Sequence, residues 1–190
     1  MSEQSEPNAA IPGRPSWWSR THIRAFQLDD DEIWRILTTA DLAAVSWVTA
    51  RAEPVTALLS YLFIDDHLTV TSTANRSKYR AWSANPAACF CVWDPEDQLK
   101  QVTVRGQVEM FRTEEFHRRW IEALVTKVSG RDDVPPEVLE RQFRLFDDPE
   151  RRYFRLHISR ILSYDGTMMR RAEREGLDVW PDDSSGRGGR

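Results

Sequence analysis

The stretch that decides the fold is residues 68–109, LTVTSTANRSKYRAWSANPAACFCVWDPEDQLKQVTVRGQVE. Apolar and polar residues alternate over residues 68–71 and again over residues 102–105, which is typical of strands with one buried face. Between them the residues favour a hydroxyl-rich turn, a short helix and a further strand. These elements follow one another almost without spare residues, which indicates a compact antiparallel β-structure.

The turn at residues 71–78, TSTANRSK, is the first candidate binding feature. Its hydroxyls, Arg76 and Lys78 stand where an extended segment gives way to a helix, and a helix start offers oriented N–H groups and positive charge to a phosphate. The chain has three lysines against 23 arginines, so a lysine here suggests a local requirement. Ser, Thr and Asn are also ordinary turn and cap residues. A phosphate anchor and a plain turn therefore both remain open.

Three further features follow the turn at fixed spacing. Asn85-Pro86 closes the short helix, residues 93–95 form an aromatic-acidic-Pro turn, and residues 101–109 read Gln-Val-x-Val-x-Gly-x-Val-Glu. Their order resembles the pyridoxamine 5'-phosphate oxidase-like split-barrel superfamily over about residues 43–111, with residues 153–164 as a last strand. The resemblance implies a mainly β (α+β) fold: an antiparallel six-stranded split β-barrel with flanking helices, assembled as a homodimer.

Hydrophobic patterns predict the elements of that fold. The strands are expected at residues 43–49, 55–64, 67–72, 87–93, 102–111 and 153–164, with Asp65-Asp66 as a tight hairpin turn. A helix should begin at the capping residue Asp29 and end near Thr39. A second should run over residues 113–128, with Phe116, Trp120, Leu124 and Val128 on one stripe that is core or dimer contact, while His117, Arg118 and Arg119 point elsewhere. Another helix should begin near Pro135.

The chain is expected to form a single domain. At 190 residues it is long enough to bury about 70% of the surface that the unfolded chain exposes. Residues 1–16 should be a disordered arm, residues 17–177 the split-barrel domain with a helical insertion at residues 113–148, and residues 178–190 a disordered tail. The role of the insertion stays open.

The resemblance also implies a cofactor site. Lys78 matches the lysine that contacts the flavin phosphate, Thr71 and Ser72 match the strand-end residues beside it, and Gln101 matches a glutamine from the partner subunit. Residues 56–61 match the strand along the flavin ring. Arg105 and Gln107 are four and six residues after Gln101, so they lie on the same face of a regular strand and are added as candidates. The candidate cofactor-binding residues are thus Thr56, Ala57, Leu58, Thr71, Ser72, Thr73, Arg76, Ser77, Lys78, Gln101, Arg105 and Gln107.

Departures from the family pattern bear on the function. Thr56 and Ser77 stand where the true oxidases carry arginines, and their C-terminal Trp and Arg signature is missing from residues 161–168. Pyridoxamine phosphate oxidation is therefore not expected. The resemblance implies instead an FMN-dependent oxidoreductase acting on a small organic substrate, with the deazaflavin coenzyme factor 420 as the alternative cofactor. A non-catalytic split barrel that binds flavin or haem remains the competing interpretation.

Composition excludes several classes. A net charge of −4 and a pI near 5.6 disfavour a duplex nucleic-acid binder. No apolar run approaches the roughly 20 residues of a membrane span, and the N-terminus lacks a signal-peptide pattern, so a cytoplasmic protein is expected. Cys89 and Cys91 should lie on one strand face as small buried residues, and the four histidines show no metal-ligand spacing with them, so no metal is expected.

Overall fold

The structure is a computed structural model that describes residues 24–177. The expected arm at residues 1–16, the domain start at residue 17 and the tail at residues 178–190 lie outside the described residues. Seven strands follow a short 3₁₀ turn at Arg24–Phe26: β1 Leu42–Val48, β2 Pro54–Ser60, β3 Leu62–Ile64, β4 His67–Thr73, β5 Ala87–Trp93, β6 Lys100–Phe111 and β7 Arg151–Asp165. Five helices accompany them: α1 Asp30–Thr39, α2 Ser77–Ala84, α3 Glu114–Ser129, α4 Pro136–Phe146 and α5 Gly166–Glu175.

All seven strands belong to one antiparallel sheet in the order β2-β1-β5-β6-β7-β4-β3. The two ends of this order, β2 and β3, are joined in the chain by the single residue Tyr61. The sheet must therefore curl until its ends approach each other, which makes it a barrel. The predicted split barrel is confirmed, with seven strands in place of six.

Tyr61 is the reason for the extra strand. The predicted strand at residues 55–64 breaks there because the buried Tyr61 ring lies in the barrel core and its hydroxyl donates a hydrogen bond to the Leu37 carbonyl at 2.7 Å. The next residue, Leu62, belongs to a second core on the outside of the sheet. The chain thus turns a corner of the barrel at Tyr61. The following Asp65-Asp66 turn has positive φ at both residues, 52° and 61°, as a tight hairpin requires.

The barrel interior is filled by alternate residues of the strands. Leu68 and Val70 of β4, Phe90 of β5 and Val104 of β6 are fully buried there. Each such side chain stabilises the fold by roughly 1.5–3 kcal/mol relative to exposure. Helix α1 closes one end, and its start is capped as predicted, because Asp29 Oδ1 accepts a hydrogen bond from the Glu32 amide at 2.8 Å.

Helices α3 and α4 cover part of the outer face of the sheet. The buried side chains of α3 are Phe116, His117, Trp120, Ile121 and Val125, so the prediction that His117 points away from the packed side of the helix was wrong. Val128 is 79% exposed and His117 is 3% exposed. The predicted stripe advanced four residues at each step, whereas a helix turns every 3.6 residues, so the stripe drifts away from the sheet by its last member.

A β-bulge interrupts the ladder between β6 and β7. Arg105 lies opposite Arg160 and the next residue, Gly106, lies opposite Ile158, so Ser159 is left over. A Cβ on Gly106 would stand 1.9 Å from the His157 carbonyl oxygen. The glycine of the Gln-Val-x-Val-x-Gly motif therefore permits the close backbone approach at this bulge.

Helix α5 has no counterpart among the predicted elements. It begins directly after β7, and Asp165 caps it by accepting a hydrogen bond from the Met168 amide at 2.8 Å. No helix within residues 24–177 is long and apolar enough to cross a membrane.

Candidate functional site

The hydroxyl-rich turn lies between the end of β4 and the start of α2. Thr73 donates from its hydroxyl to the Asn75 side-chain oxygen at 2.6 Å, and the Arg76 amide donates to the Thr73 carbonyl at 3.1 Å. Helix α2 begins at Ser77, and Arg76 at its N-cap position makes no capping hydrogen bond with its side chain. No acidic residue lies in the first turn. The helix start is thus left without the negative partner that usually stabilises it.

Lys78 is the most unusual charge in this turn. Its side chain is half-buried, and within residues 24–177 it forms no ion pair with any carboxylate. Burial lowers the pKa of the Lys78 ammonium, and the nearby positive charge of Arg76 lowers it further. A partly desolvated cation beside a second cation is costly unless an anion binds there.

The two strand-end candidates point to opposite faces of β4. Ser72 is two residues after the core residue Val70, so it lies on the same face of the strand, and it is buried. Thr71 lies on the other face, where its hydroxyl donates to the Arg152 carbonyl at 3.0 Å and accepts from Arg151 Nη1 at 3.4 Å. The structure therefore does not bring the Thr71 and Ser72 hydroxyls together.

Strand β2 carries the candidates for contact with a ring. Thr56 and Leu58 face outward, Thr56 sharing a 2.8 Å hydrogen bond with the Ser46 hydroxyl, whereas Ala57 packs against the core. Leu58 is 63% exposed. Among the described residues β2 pairs only with β1. Backbone groups along its other edge are thus available to a ligand.

Gln101, Arg105 and Gln107 all lie on the exposed face of β6. The Gln101 side-chain oxygen accepts a hydrogen bond from the Cys91 thiol at 3.6 Å, and the Arg105 guanidinium lies beside the Cys89 thiol. Both cysteines share this face, but they are partly exposed instead of buried, because α3 and α4 cover the face around Phe111 and not around the cysteines. Burial nevertheless raises the pKa of the Cys89 thiol.

A groove of about 640 Å³ crosses this face of the sheet. Arg105 and Gln107 line it together with Ser46, Cys89 and His157. Neither Lys78 nor any other residue of the 71–78 turn contributes to its walls. The candidate residues therefore fall into three groups within one chain: the turn at the start of α2, strand β2, and the outer face of β6.

The family model for pyridoxamine 5'-phosphate oxidase covers residues 29–161. The chain belongs to the pyridoxamine 5'-phosphate oxidase family. The matched region begins at the cap of α1 and ends within β7, so it contains every candidate site residue. No curated protein matches the chain in sequence.

Solved structures share the fold of this family member. A conserved hypothetical protein from Mycobacterium tuberculosis has a TM-score of 0.68 at 16% identity, over 88% of this chain and 98% of its own. An F420 reductase has a TM-score of 0.52 at 22% identity, over 67% of this chain and 94% of its own. A FAD-binding protein from Mesorhizobium loti has a TM-score of 0.51 at 20% identity, over 72% and 94%.

Two histidines that the sequence patterns did not single out take part in this family member's polar contacts. His157 Nε2 lies 2.9 Å from Glu109 Oε2, and its ring packs edge-on against His67 at 5.1 Å. His117 Nδ1 lies 2.6 Å from the Tyr153 hydroxyl. The pairing of β4, β6 and β7 brings His67, Glu109 and His157 together, and the packing of α3 on β7 brings His117 to Tyr153, so no sequence spacing could have revealed these contacts. Within residues 24–177, no group of three or more His, Cys, Asp or Glu residues could hold a metal ion.

Proposed function

We propose that the protein is an oxidoreductase that uses FMN, or alternatively the deazaflavin coenzyme factor 420, to transfer hydride or electrons to or from a small organic substrate. The observation that carries this proposal is Lys78, a half-buried cation that has no carboxylate partner among residues 24–177 and stands at the uncapped start of α2. Family membership and the F420 reductase and FAD-binding structures support it.

The turn fits the phosphate of such a cofactor. Lys78 would hold the phosphate as a compact positive charge, and Arg76 would add a second cation. The first N–H groups of α2 and the Ser77 hydroxyl would donate hydrogen bonds to the same oxygens. Binding would offset the repulsion between the two cations, which accounts for their placement at one turn.

The remaining candidates would position the ring. The free edge of β2 at residues 56–58 presents backbone donors and acceptors to its polar rim, and the exposed Leu58 presents an apolar surface. The cofactor would supply the redox chemistry, so the chain needs no nucleophile of its own. Its residues would bind and orient the reactants.

We further propose that the protein acts as a homodimer in the cytoplasm. Leu42, Val48 and Leu58 leave an exposed apolar surface on the outer faces of β1 and β2, as is common at protein interfaces. A second copy would cover this surface and bring its own Gln101 toward the cofactor. This arrangement would bring the β6 candidates of one copy to the turn and the β2 candidates of the other.

The first test is cofactor binding. We expect purified protein to bind FMN or the deazaflavin coenzyme, with Lys78→Ala weakening the binding at least about tenfold, the cost of losing one charge-assisted hydrogen bond. Arg80→Ala is the matched control, because Arg80 is an exposed cation on the same helix. Because the pKa of Lys78 is lowered, its ammonium loses the proton at a pH below 10.5, the ordinary lysine value. The affinity of the wild type for the cofactor should therefore already decrease as the pH rises toward 10.5. Equal loss in the Lys78 and Arg80 variants would contradict the assignment.

The second test separates an enzyme from a binding protein. The loaded protein should be reduced by a nicotinamide donor or by a deazaflavin-reducing system, and then reoxidised by an added small-molecule acceptor. Tight binding with neither step would favour a non-catalytic protein that binds flavin or haem.

A further inference from the structure

Lys127 reaches from α3 to the end of α1. Its Nζ donates a hydrogen bond to the Ala40 carbonyl at 2.6 Å and lies 3.5 Å from Asp41 Oδ1. It also lies over the Tyr61 ring, 5.1 Å from the ring centre. Ala40 is the C-cap residue of α1, so the positive charge stands at the negative end of the helix dipole. Lys127 therefore fastens α3 to the end of the barrel that α1 closes.

A small cavity opens beside this ammonium group. Its volume of about 240 Å³ lies below the roughly 300–1,000 Å³ of most ligand pockets, so it has room for a short chain only. The lining consists of Asp41, Ser60, Tyr61, Leu62, Leu124, Lys127 and Val128. None of these residues lines the groove on the outer sheet face or belongs to the 71–78 turn. None is part of the exposed apolar surface that a second copy would cover.

The Lys127 side chain has the features of an activated amine. It is 22% exposed, and burial lowers the pKa of its ammonium group, although the Asp41 carboxylate acts in the opposite direction. A neutral lysine amine is a nucleophile, and desolvation in an apolar pocket is one way in which proteins produce it. After losing its proton, the amine can still donate to the Ala40 carbonyl. That hydrogen bond keeps the nitrogen at the cavity while its lone pair is free.

The other two lysines of the chain each share one of these features. Lys100 is almost equally exposed, at 21%, but its hydrogen-bonded ion pair with Glu32 at 2.5 Å, with Asp165 at 3.9 Å, raises its pKa. Lys78 has a lowered pKa, but it does not line the cavity. Lys100 is therefore a reference for exposure without activation, and Lys78 is a reference for activation without the cavity.

We propose that Lys127 is a site of covalent acylation by short-chain thioesters, with the apolar acyl chain held in the cavity. The neutral amine attacks the thioester carbonyl carbon, so that a C–N bond forms and the C–S bond breaks. The sulfur leaves as a thiol after taking up, through water, the proton that the nitrogen loses. The product amide carries no positive charge, so acylation removes the ion pair with Asp41 and weakens the attachment of α3 to α1. This modification is separate from the proposed redox function.

The test compares the three lysines within one protein. Full-length protein without added cofactor is incubated at a fixed pH with the acetyl and the butyryl thioester of N-acetylcysteamine, and peptide mass spectrometry follows the acylated fraction of each lysine. We expect Lys127 to react at least about tenfold faster than Lys100. The ratio of the butyryl rate to the acetyl rate should be higher at Lys127 than at Lys78, because the cavity holds the longer chain. A rate at Lys127 no higher than at Lys100, or equal ratios at Lys127 and Lys78, would overturn the proposal.

A variant tests the role of the cavity. Val128→Trp places a large ring in the cavity lining at a residue that is 79% exposed, so the fold should be kept. This variant should butyrylate more slowly at Lys127 and at an unchanged rate at Lys100. Glu122→Trp is the matched control, because Glu122 is exposed on the same helix outside the cavity. Equal rates of butyrylation at Lys127 in the two variants would overturn the proposal.

Discussion

Replacement of Gly106 by Ala should destabilise the barrel through a steric clash. The new Cβ would stand 1.9 Å from the His157 carbonyl oxygen and 2.9 Å from the His157 carbonyl carbon. Both contacts are to backbone, so no side-chain rotation can relieve them, and β6 must move away from β7 at the bulge. Overpacking of this kind costs about 3 kcal/mol at the upper end of its usual range. In a domain of this size that lowers Tm by roughly 6–12 °C.

The assay is urea unfolding followed by tryptophan fluorescence and circular dichroism, without added cofactor. Gly130→Ala serves as the control, because Gly130 has a φ of 64° and no atom within 4 Å of a new Cβ. That variant should lose about 1 kcal/mol from left-handed backbone strain alone. An equal or smaller loss for Gly106→Ala than for Gly130→Ala would refute the steric explanation of the bulge.

Two further predictions concern buried polar groups. Burial lowers the pKa of His117, so the unfolded chain takes up a proton first as the pH falls, and the free energy of unfolding should decrease from pH 6.5 down to the folded-state pKa. The His117→Gln variant should have a free energy of unfolding about 1 kcal/mol lower at pH 7. In urea unfolding between pH 7.5 and 5, its free energy of unfolding should also depend less on pH than that of the wild type. An unchanged pH dependence would exclude His117 as its source. Asp94 is 2% exposed, pairs with the Arg35 guanidinium and accepts from the Glu96 amide at 3.0 Å. Asp94→Asn should lower the free energy of unfolding by about 1–2 kcal/mol, and a loss no greater than that of the exposed Asp133→Asn would contradict this role.

The parts of the fold that the sequence predicts are those whose signals are local. The cap at Asp29, the Asp65-Asp66 turn and the alternation in β4 and β6 each depend on residues a few positions apart. The break at Tyr61 is different, since its cause is a hydrogen bond to Leu37, 24 residues away. The same is true of His117, whose burial follows from contact with Tyr153 of the last strand. Tertiary contact overrides the local pattern at both positions.

The candidate sites also differ in whether their residues are close together in the sequence. The turn at residues 71–78 is continuous in the chain, so its residue types alone raise the choice between a phosphate anchor and a plain turn, and the structure adds that Lys78 has no acidic partner among residues 24–177. The groove on the outer face draws on β1, β2, β5, β6 and β7, and its β7 wall depends on the bulge at which Ser159 is left over. Without that extra residue, the ladder beyond Arg105–Arg160 would set Gly106 against Ser159 and the next β6 residue against Ile158, and His157 would no longer lie opposite Gln107. The bulge, and the glycine that permits it, therefore decide that His157 lies opposite Gln107 in the lining of the groove.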